Sequence, residues 1–317
     1  ELLAAAVLLT CVVFLIRRNV LKIKRFWSRE MTAWPRSDAN YILIFEIVLM
    51  MAFFTMNAAD PYVDGFIVSG WFKGLLPADA DTLHYIERVS WWFHIIGILC
   101  FLNYLPYSKH FHILLAFPNV YYSNLDDKGR FDNMEAVKKE VEIMFDPNAD
   151  PYAPPPEPDP DAPPVKFGAK DVRDLTWKQL MDAYSCTECG RCTSDCPANQ
   201  TGKLLSPRKI MMDTRDRLEE VGRNVDEHGP DHDDGKALLK DYITPEELWA
   251  CTSCNACTQA CPVNIDPLSI IIDLRRHLVM EESAAPSELN GMFTNIENNG
   301  APWQFSQADR LNWAHED

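Results

Sequence analysis

Eight of the ten cysteines fall into two short runs. Cys186, Cys189, Cys192 and Cys196 precede Pro197, and Cys251, Cys254, Cys257 and Cys261 precede Pro262, so both runs read C-x2-C-x2-C-x3-C-P. A cubane cluster takes four thiolates, one per iron. In this motif the three closely spaced cysteines wrap one cluster while the fourth reaches across to its neighbour. The spacing therefore predicts Cys186, Cys189, Cys192 and Cys261 on one [4Fe–4S] centre, and Cys251, Cys254, Cys257 and Cys196 on a second. A zinc site would more commonly pair two C-x2-C units. Only Cys11 and Cys100 lie outside the runs, both in apolar stretches. This is metal-ligand usage rather than a disulfide framework, and it implies a reducing compartment. Two such centres store and pass single electrons but bind no substrate.

A second candidate set lies in HIIGILCFLNYLPYSKHFH, residues 94–112. As one helix, the eighteen-residue spacing of His94 and His112 makes about five turns and ~27 Å, which puts both imidazoles on one face at nearly opposite depths of a ~30 Å hydrocarbon layer. Ionisable side chains within a membrane are costly and tend to be functional. Imidazole is also a standard axial ligand of haem iron. The pair is read as axial ligands of two b-type haems, against the plainer reading of two interfacial residues near helix ends. The second apolar segment contains no histidine, so the partner ligands are expected from helices outside the given chain or from another subunit. His110 faces elsewhere, His84 sits in a loop, and His228 and His232 belong to the acidic DEHGPDHDDG, read as solvated surface. Glu46 is read either as a proton relay or as a snorkelling side chain.

The elements that must carry these groups divide the chain. Three apolar stretches, Leu2 to Ile16, Tyr41 to Ala59 and about Trp91 to Phe117, read as transmembrane segments; the second has about the ~20-residue length required, and the first is too short to span unless it continues upstream. Pro106 is expected to kink the third. The first is already apolar at residue 1 and has neither the basic start nor the cleavage site of a signal peptide; it reads as a helix continuing from residues upstream. The stretch 17–36 holds seven Lys/Arg against Glu30, whereas 61–87 is acidic, so 17–36 is expected in the cytoplasm, with everything after Phe117 on the same side. Residues 1–117 carry a net +1 of the total −16, leaving −17 on 118–317. That balance excludes nucleic acid as a partner, because a phosphate backbone needs a basic surface. Residues 146–165 are Pro-rich and acidic, a stiff spacer. From 176 onward helix, cysteine run and helix occur twice, the later helices announced by Ser206-Pro207 and Asp266-Pro267 and a capping box by Thr244-Pro245 and Glu247. The fold class expected is mainly α: a transmembrane helical bundle (1–117), a juxtamembrane connection (118–145), the linker (146–165), an α-helical dicluster ferredoxin (166–285) and a tail (286–317) for contact with another subunit.

Segment 94–112 resembles the last helix of the cytochrome b (gamma) subunit of respiratory nitrate reductase. In that subunit two histidines eighteen apart each ligate a haem; carried over, these are His94 and His112. Region 176–280 resembles the dicluster subunit of heterodisulfide reductases. With NYLPYSKHFHILLAFPN, CTECGRC, SPRKIM, EELWACTSC and NIENNGAPW, nearly the whole chain resembles the membrane iron–sulfur oxidoreductases, which fuse these two domains. The resemblance implies an electron-transfer subunit of a membrane-bound quinone oxidoreductase in a bacterial inner membrane, multi-pass, with the ferredoxin domain cytoplasmic. Two [4Fe–4S] clusters, two haem b and menaquinone would be its redox groups, and membrane lipid its surroundings. The helix carrying the partner histidines is not in the sequence, and no CCG tripeptide occurs. Catalysis would therefore lie on a cytoplasmic partner, a CCG-containing iron–sulfur protein or an electron-transfer flavoprotein. The alternatives are a redox-sensing or anchoring iron–sulfur protein and a self-sufficient heterodisulfide or thiol reductase.

Overall fold

A computed structural model gives residues 1–62, 66–127, 129–147 and 166–315, so the expected linker falls outside the described residues apart from 146 and 147. The chain forms two compact units, Glu1–Arg130 with Thr176–Leu268, and Phe131–Leu175 with Ser269–Asp317. Among the described residues there is no strand, and the fold is mainly α as expected.

The first unit opens with α1 (Leu2–Leu15), apolar all round, prolonged by a π-helical turn to Val20. After a basic loop come α2 (Trp34–Ala59), the short α3 (Ile67–Lys73) and α4 (Ala80–Tyr104). Three helical stretches, Leu2–Val20, Trp34–Ala59 and Ala80–Tyr107, are long and apolar enough to cross a membrane. Asp79 starts α4 by accepting the Thr82 N–H (3.0 Å), an N-cap that the sequence reading, beginning its third segment near Trp91, did not use. α2 and α4 pack closely: Phe45 and Phe101 stack at 5.4 Å, and a β-carbon at Gly97 would stand 2.5 Å from Leu49 Cδ2, which would have to move aside.

The third apolar segment is not one helix to Phe117. α4 stops at Tyr104, two 3₁₀ turns follow, and α5 (His112–Tyr121) begins afresh. Pro106 lacks an N–H, and Ser108 is extended (φ −112°, ψ 152°). The freed groups turn to the buried carboxylate of Asp38, which accepts from Tyr104, from Ser108 Oγ (3.0 Å) and from the Lys109 N–H (3.1 Å). His94 and His112 therefore do not share a face of one helix.

In sequence α6 (Glu135–Phe145) comes next and belongs to the second unit. The first unit resumes with α7 (Trp177–Ser185), α8 (Arg191–Asp195), α9 (Pro197–Gln200), α10 (Pro207–His228), α11 (Pro245–Trp249), α12 (Ala256–Ala260) and the start of α13 (Pro267–Arg276). The caps at Ser206 and Thr244 form as expected, the latter as a full capping box. The core of this part is Leu205, Ile210, Met211, Leu238, Leu239, Ile243 and Leu248.

In the second unit, residues 166–171 run along the end of α13: the Ala169 N–H bonds the Asp273 carbonyl (3.0 Å) and the Phe167 N–H the Glu281 carboxylate (2.8 Å). Gly168 has φ +74°, and a β-carbon there would lie 2.2 Å from the Asp273 oxygen, so only glycine fits. α14 (Ser287–Asn299) completes the unit.

Candidate electron-transfer site

The two cysteine loops share one backbone design. In the first, Glu188 and Gly190 have positive φ (57° and 75°); in the second, Ser253 and Asn255 stand at the same places with 57° and 59°. Each left-handed turn is followed by a five-residue helix, α8 or α12, that ends at the fourth cysteine. α8 and α12 pack against each other, which brings the two runs together. Backbone N–H groups point at sulfur: Ser253 N–H to Cys251 Sγ and Ile265 N–H to Cys261 Sγ, both 3.4 Å. Such bonds favour thiolate and tune a bound cluster.

Burial pushes the Cys186 and Cys257 thiols up to about 12 and Cys192 higher still. Burial also raises Cys261, and the nearness of Cys189 adds to it; Cys257 does the same to Cys192. As free thiols these groups are held neutral by burial. Among the described residues no three Cys, His, Asp or Glu converge as the ligands of a single ion do. A cubane makes no such demand, because each thiolate bonds a different iron. The donor set suits iron–sulfur clusters.

The first loop is fastened to the basic stretch between α1 and α2 and to the α4–α5 break. Arg208, wholly buried, bonds Glu30 (2.7 Å), the Arg25 carbonyl (2.6 Å), Ser28 and the Glu188 carbonyl (3.3 Å). Its guanidinium fills the space above Gly190, where a β-carbon would come within 2.4 Å. Burial pushes the Glu30 carboxyl up, but Ser206 and Arg208 outweigh it and hold it below the ordinary range. Glu188, between two cluster cysteines, has its carboxylate 1% exposed, held by Lys109 on one side and Arg215 (2.7 Å) on the other. Again burial is overcome by the two cations, Lys109 first, and the carboxyl is kept low. Spacing alone did not single out these residues; a glutamate inside a C-x2-C offers no sequence signal of its partner. The second motif docks on α5, where buried Asn119 donates to the Val263 carbonyl (2.9 Å); Ser185 of α7, just before the first motif, reaches the Leu115 carbonyl of the same helix (3.4 Å). Cys254 of the second loop is exposed, whereas Cys186 of the first is buried.

His94 falls at the middle of Ala80–Tyr107 and His112 lies beyond its end, at the first residue of α5. The structure does not bring the two together. Each ring has its Nδ1 against a backbone carbonyl, Leu49 (3.0 Å) for His94 and Lys109 (2.8 Å) for His112. That contact fixes the Nδ1–H tautomer and leaves Nε2 with its free lone pair, the arrangement usual in metal-ligating histidines. His110 packs against Phe101 (5.3 Å) and His112 (5.7 Å), and burial lowers its pKa. His84 is exposed. Between α2 and α4 an apolar cleft of about 340 Å³ is lined by Trp34, Tyr41, Ile42, Phe45, Phe101 and Tyr104.

Residues 185–265 match the family of 4Fe-4S dicluster domains. The chain carries a dicluster iron–sulfur domain. It is 32% identical over 290 residues to the probable iron-sulfur-binding oxidoreductase FadF of Bacillus subtilis, covering 82% of this chain and 37% of that protein. It is 29% identical over 279 residues to the EtfAB:quinone oxidoreductase of Syntrophomonas wolfei, covering 82% and 35%. A component of the ferredoxin/F(420)H(2)-dependent CoB-CoM heterodisulfide reductase of Methanosarcina acetivorans is 34% identical over 119 residues, 37% of this chain and 60% of that one. The chain thus spans little more than a third of the length of the first two relatives. No solved structure matches it. The dicluster chain is homologous to iron–sulfur electron-transfer proteins, and its apolar helices associate it with a membrane.

Proposed function

We propose that this chain is the electron-transfer subunit of a membrane-bound quinone oxidoreductase, carrying electrons between a cytoplasmic redox subunit, two [4Fe–4S] clusters, b-type haem at His94 and His112, and menaquinone. The observation that carries the reading is the docking of the first cysteine loop, through Glu188 and Arg208, onto the ends of the apolar helices. Cys186, Cys189, Cys192 and Cys261 form the cluster nearest the membrane in this reading; Cys251, Cys254, Cys257 and Cys196 form the outer one. The closeness of Cys189 to Cys261 supports the crossed ligand set, and the exposed Cys254 supports electron exchange with a partner at the outer loop. Two relatives, by name, act on quinone or heterodisulfide, so a flavoprotein or a CCG-containing reductase fits the partner's role. The loop 17–36 shares its side with the cluster module, and its seven basic residues support the cytoplasmic orientation and a multi-pass topology.

Haem iron would supply one-electron carriage through the apolar layer. The protein's part is to hold each imidazole by its Nδ1 and to keep the path dry. The α2–α4 cleft is at the lower end of the size of small-molecule sites and lined by aromatics, which supports a quinone ring there. The test is the spectrum of the intact protein in its native membrane, reduced with dithionite. Expected are b-type bands together with the signals of two reduced cubanes. Clusters without porphyrin would overturn the transmembrane path and favour an anchoring or redox-sensing iron–sulfur protein.

A further inference from the structure

Among the described residues, Lys109 joins the first cysteine loop to His112 by consecutive bonds. Its Nζ, on a side chain 8% exposed, donates to Glu188 and to the Pro35 carbonyl. Its N–H donates to Asp38 (3.1 Å), itself 1% exposed. Its carbonyl accepts from His112 Nδ1 (2.8 Å). Glu188 is covalently next to Cys189. The internal repeat supplies a control: Ser253 occupies the matching place in the second loop with the same φ, 57°, so the turn does not need a carboxylate. A side chain that is not needed for the turn, and is costly to bury, is kept where the loop meets Lys109. Burial pulls the Lys109 ammonium down; Glu188 is the strongest influence opposing it.

We propose that Lys109 is a positioning residue that holds the His112 ring and the proximal cluster loop in one fixed relation, and that Glu188–Lys109–His112 is the bonded route between the two redox groups. This rests on the reading that His112 ligates haem. The lysine's charge anchors the loop, its carbonyl sets the tautomer and rotation of the imidazole, and Asp38 keeps its backbone from turning. Displacing the side chain disturbs both ends at once.

The test uses the whole protein in membranes and three variants: K109M, which removes the ammonium that fastens residue 109 to Glu188 and Pro35 and so lets its carbonyl shift under His112, K109R, and the double variant K109M/E188Q, which avoids leaving Glu188 with Arg215 alone. Iron, sulfide and porphyrin are assayed first, then the EPR g-values of the haems and the rate at which electrons cross from reduced cluster to haem. Expected are full cluster content, a shifted g-value for one haem only, and transfer slowed about ten-fold, the lower end of what losing an outer-shell partner costs a metal site. K109R should restore much of the rate, because a cation again meets Glu188. The double variant should share the haem shift of K109M. Porphyrin-containing K109M and double variants with wild-type g-values and transfer rate would overturn the inference while leaving the haem reading intact. A wild-type protein without porphyrin would overturn that reading, and the inference with it.

Discussion

Arg208 shows how much one side chain holds. Wholly buried, it satisfies Glu30, a carbonyl of the basic loop and a carbonyl of the first cysteine loop. R208M should cost about 3–5 kcal/mol in thermal or denaturant unfolding, because it leaves Glu30 with an uncompensated charge. R208M/E30M should cost clearly less than the two single losses added, since neither charge is then stranded. Asp213 behaves oppositely to Glu30: burial pushes its carboxyl up to about 6, Lys209 at 2.6 Å pulling the other way. A carboxyl raised on folding binds its proton more tightly in the native state. Its contribution is therefore most favourable below the unfolded value near ~4 and declines as pH rises toward 6. Stability of the wild type relative to D213N should fall by on the order of 2 kcal/mol between pH 4 and 7. Unfolding curves across that range check this; parallel curves would refute it.

Among the elements, the α4–α5 break departs most from a reading by periodicity. The apolar pattern runs on through residues 94–117, and Pro106 announces a kink; the extended Ser108 and the fresh helix at His112 are set by Asp38, seventy residues away along the chain. D38A should leave the donors of Tyr104, Ser108 and Lys109 without their acceptor, a loss of roughly 2–4 kcal/mol for charge-assisted bonds in a buried place. Hydrogen exchange of the amides at 105–112 should speed up in D38A while that of α10 stays as in the wild type. The paired cysteine loops are the opposite case. Their matching positive-φ residues, Glu188 and Ser253, Gly190 and Asn255, follow from a repeat visible by eye, because local backbone geometry is dictated by residues within the motif.

At the scale of the whole molecule, three long apolar helices with exposed Leu9, Ile44, Trp92, Ile96 and Leu99 share a compact unit with an acidic, charged module. The native protein should stay with membranes through alkaline carbonate and high salt and be released by detergent; release by salt alone would contradict the reading of the helices. Helical class, the apolar stretches, the dicluster domain and the helix starts at Ser206, Thr244 and Asp266 were all legible from the chain, since each depends on residues a few positions apart. The partners of Glu188, Arg208 and Asp38, the depth of His94 and the separation of His112 from its helix were not. They depend on buried charges and freed backbone groups finding one another across stretches from 20 to 183 residues, and no local pattern records which distant side chain neutralises a buried charge.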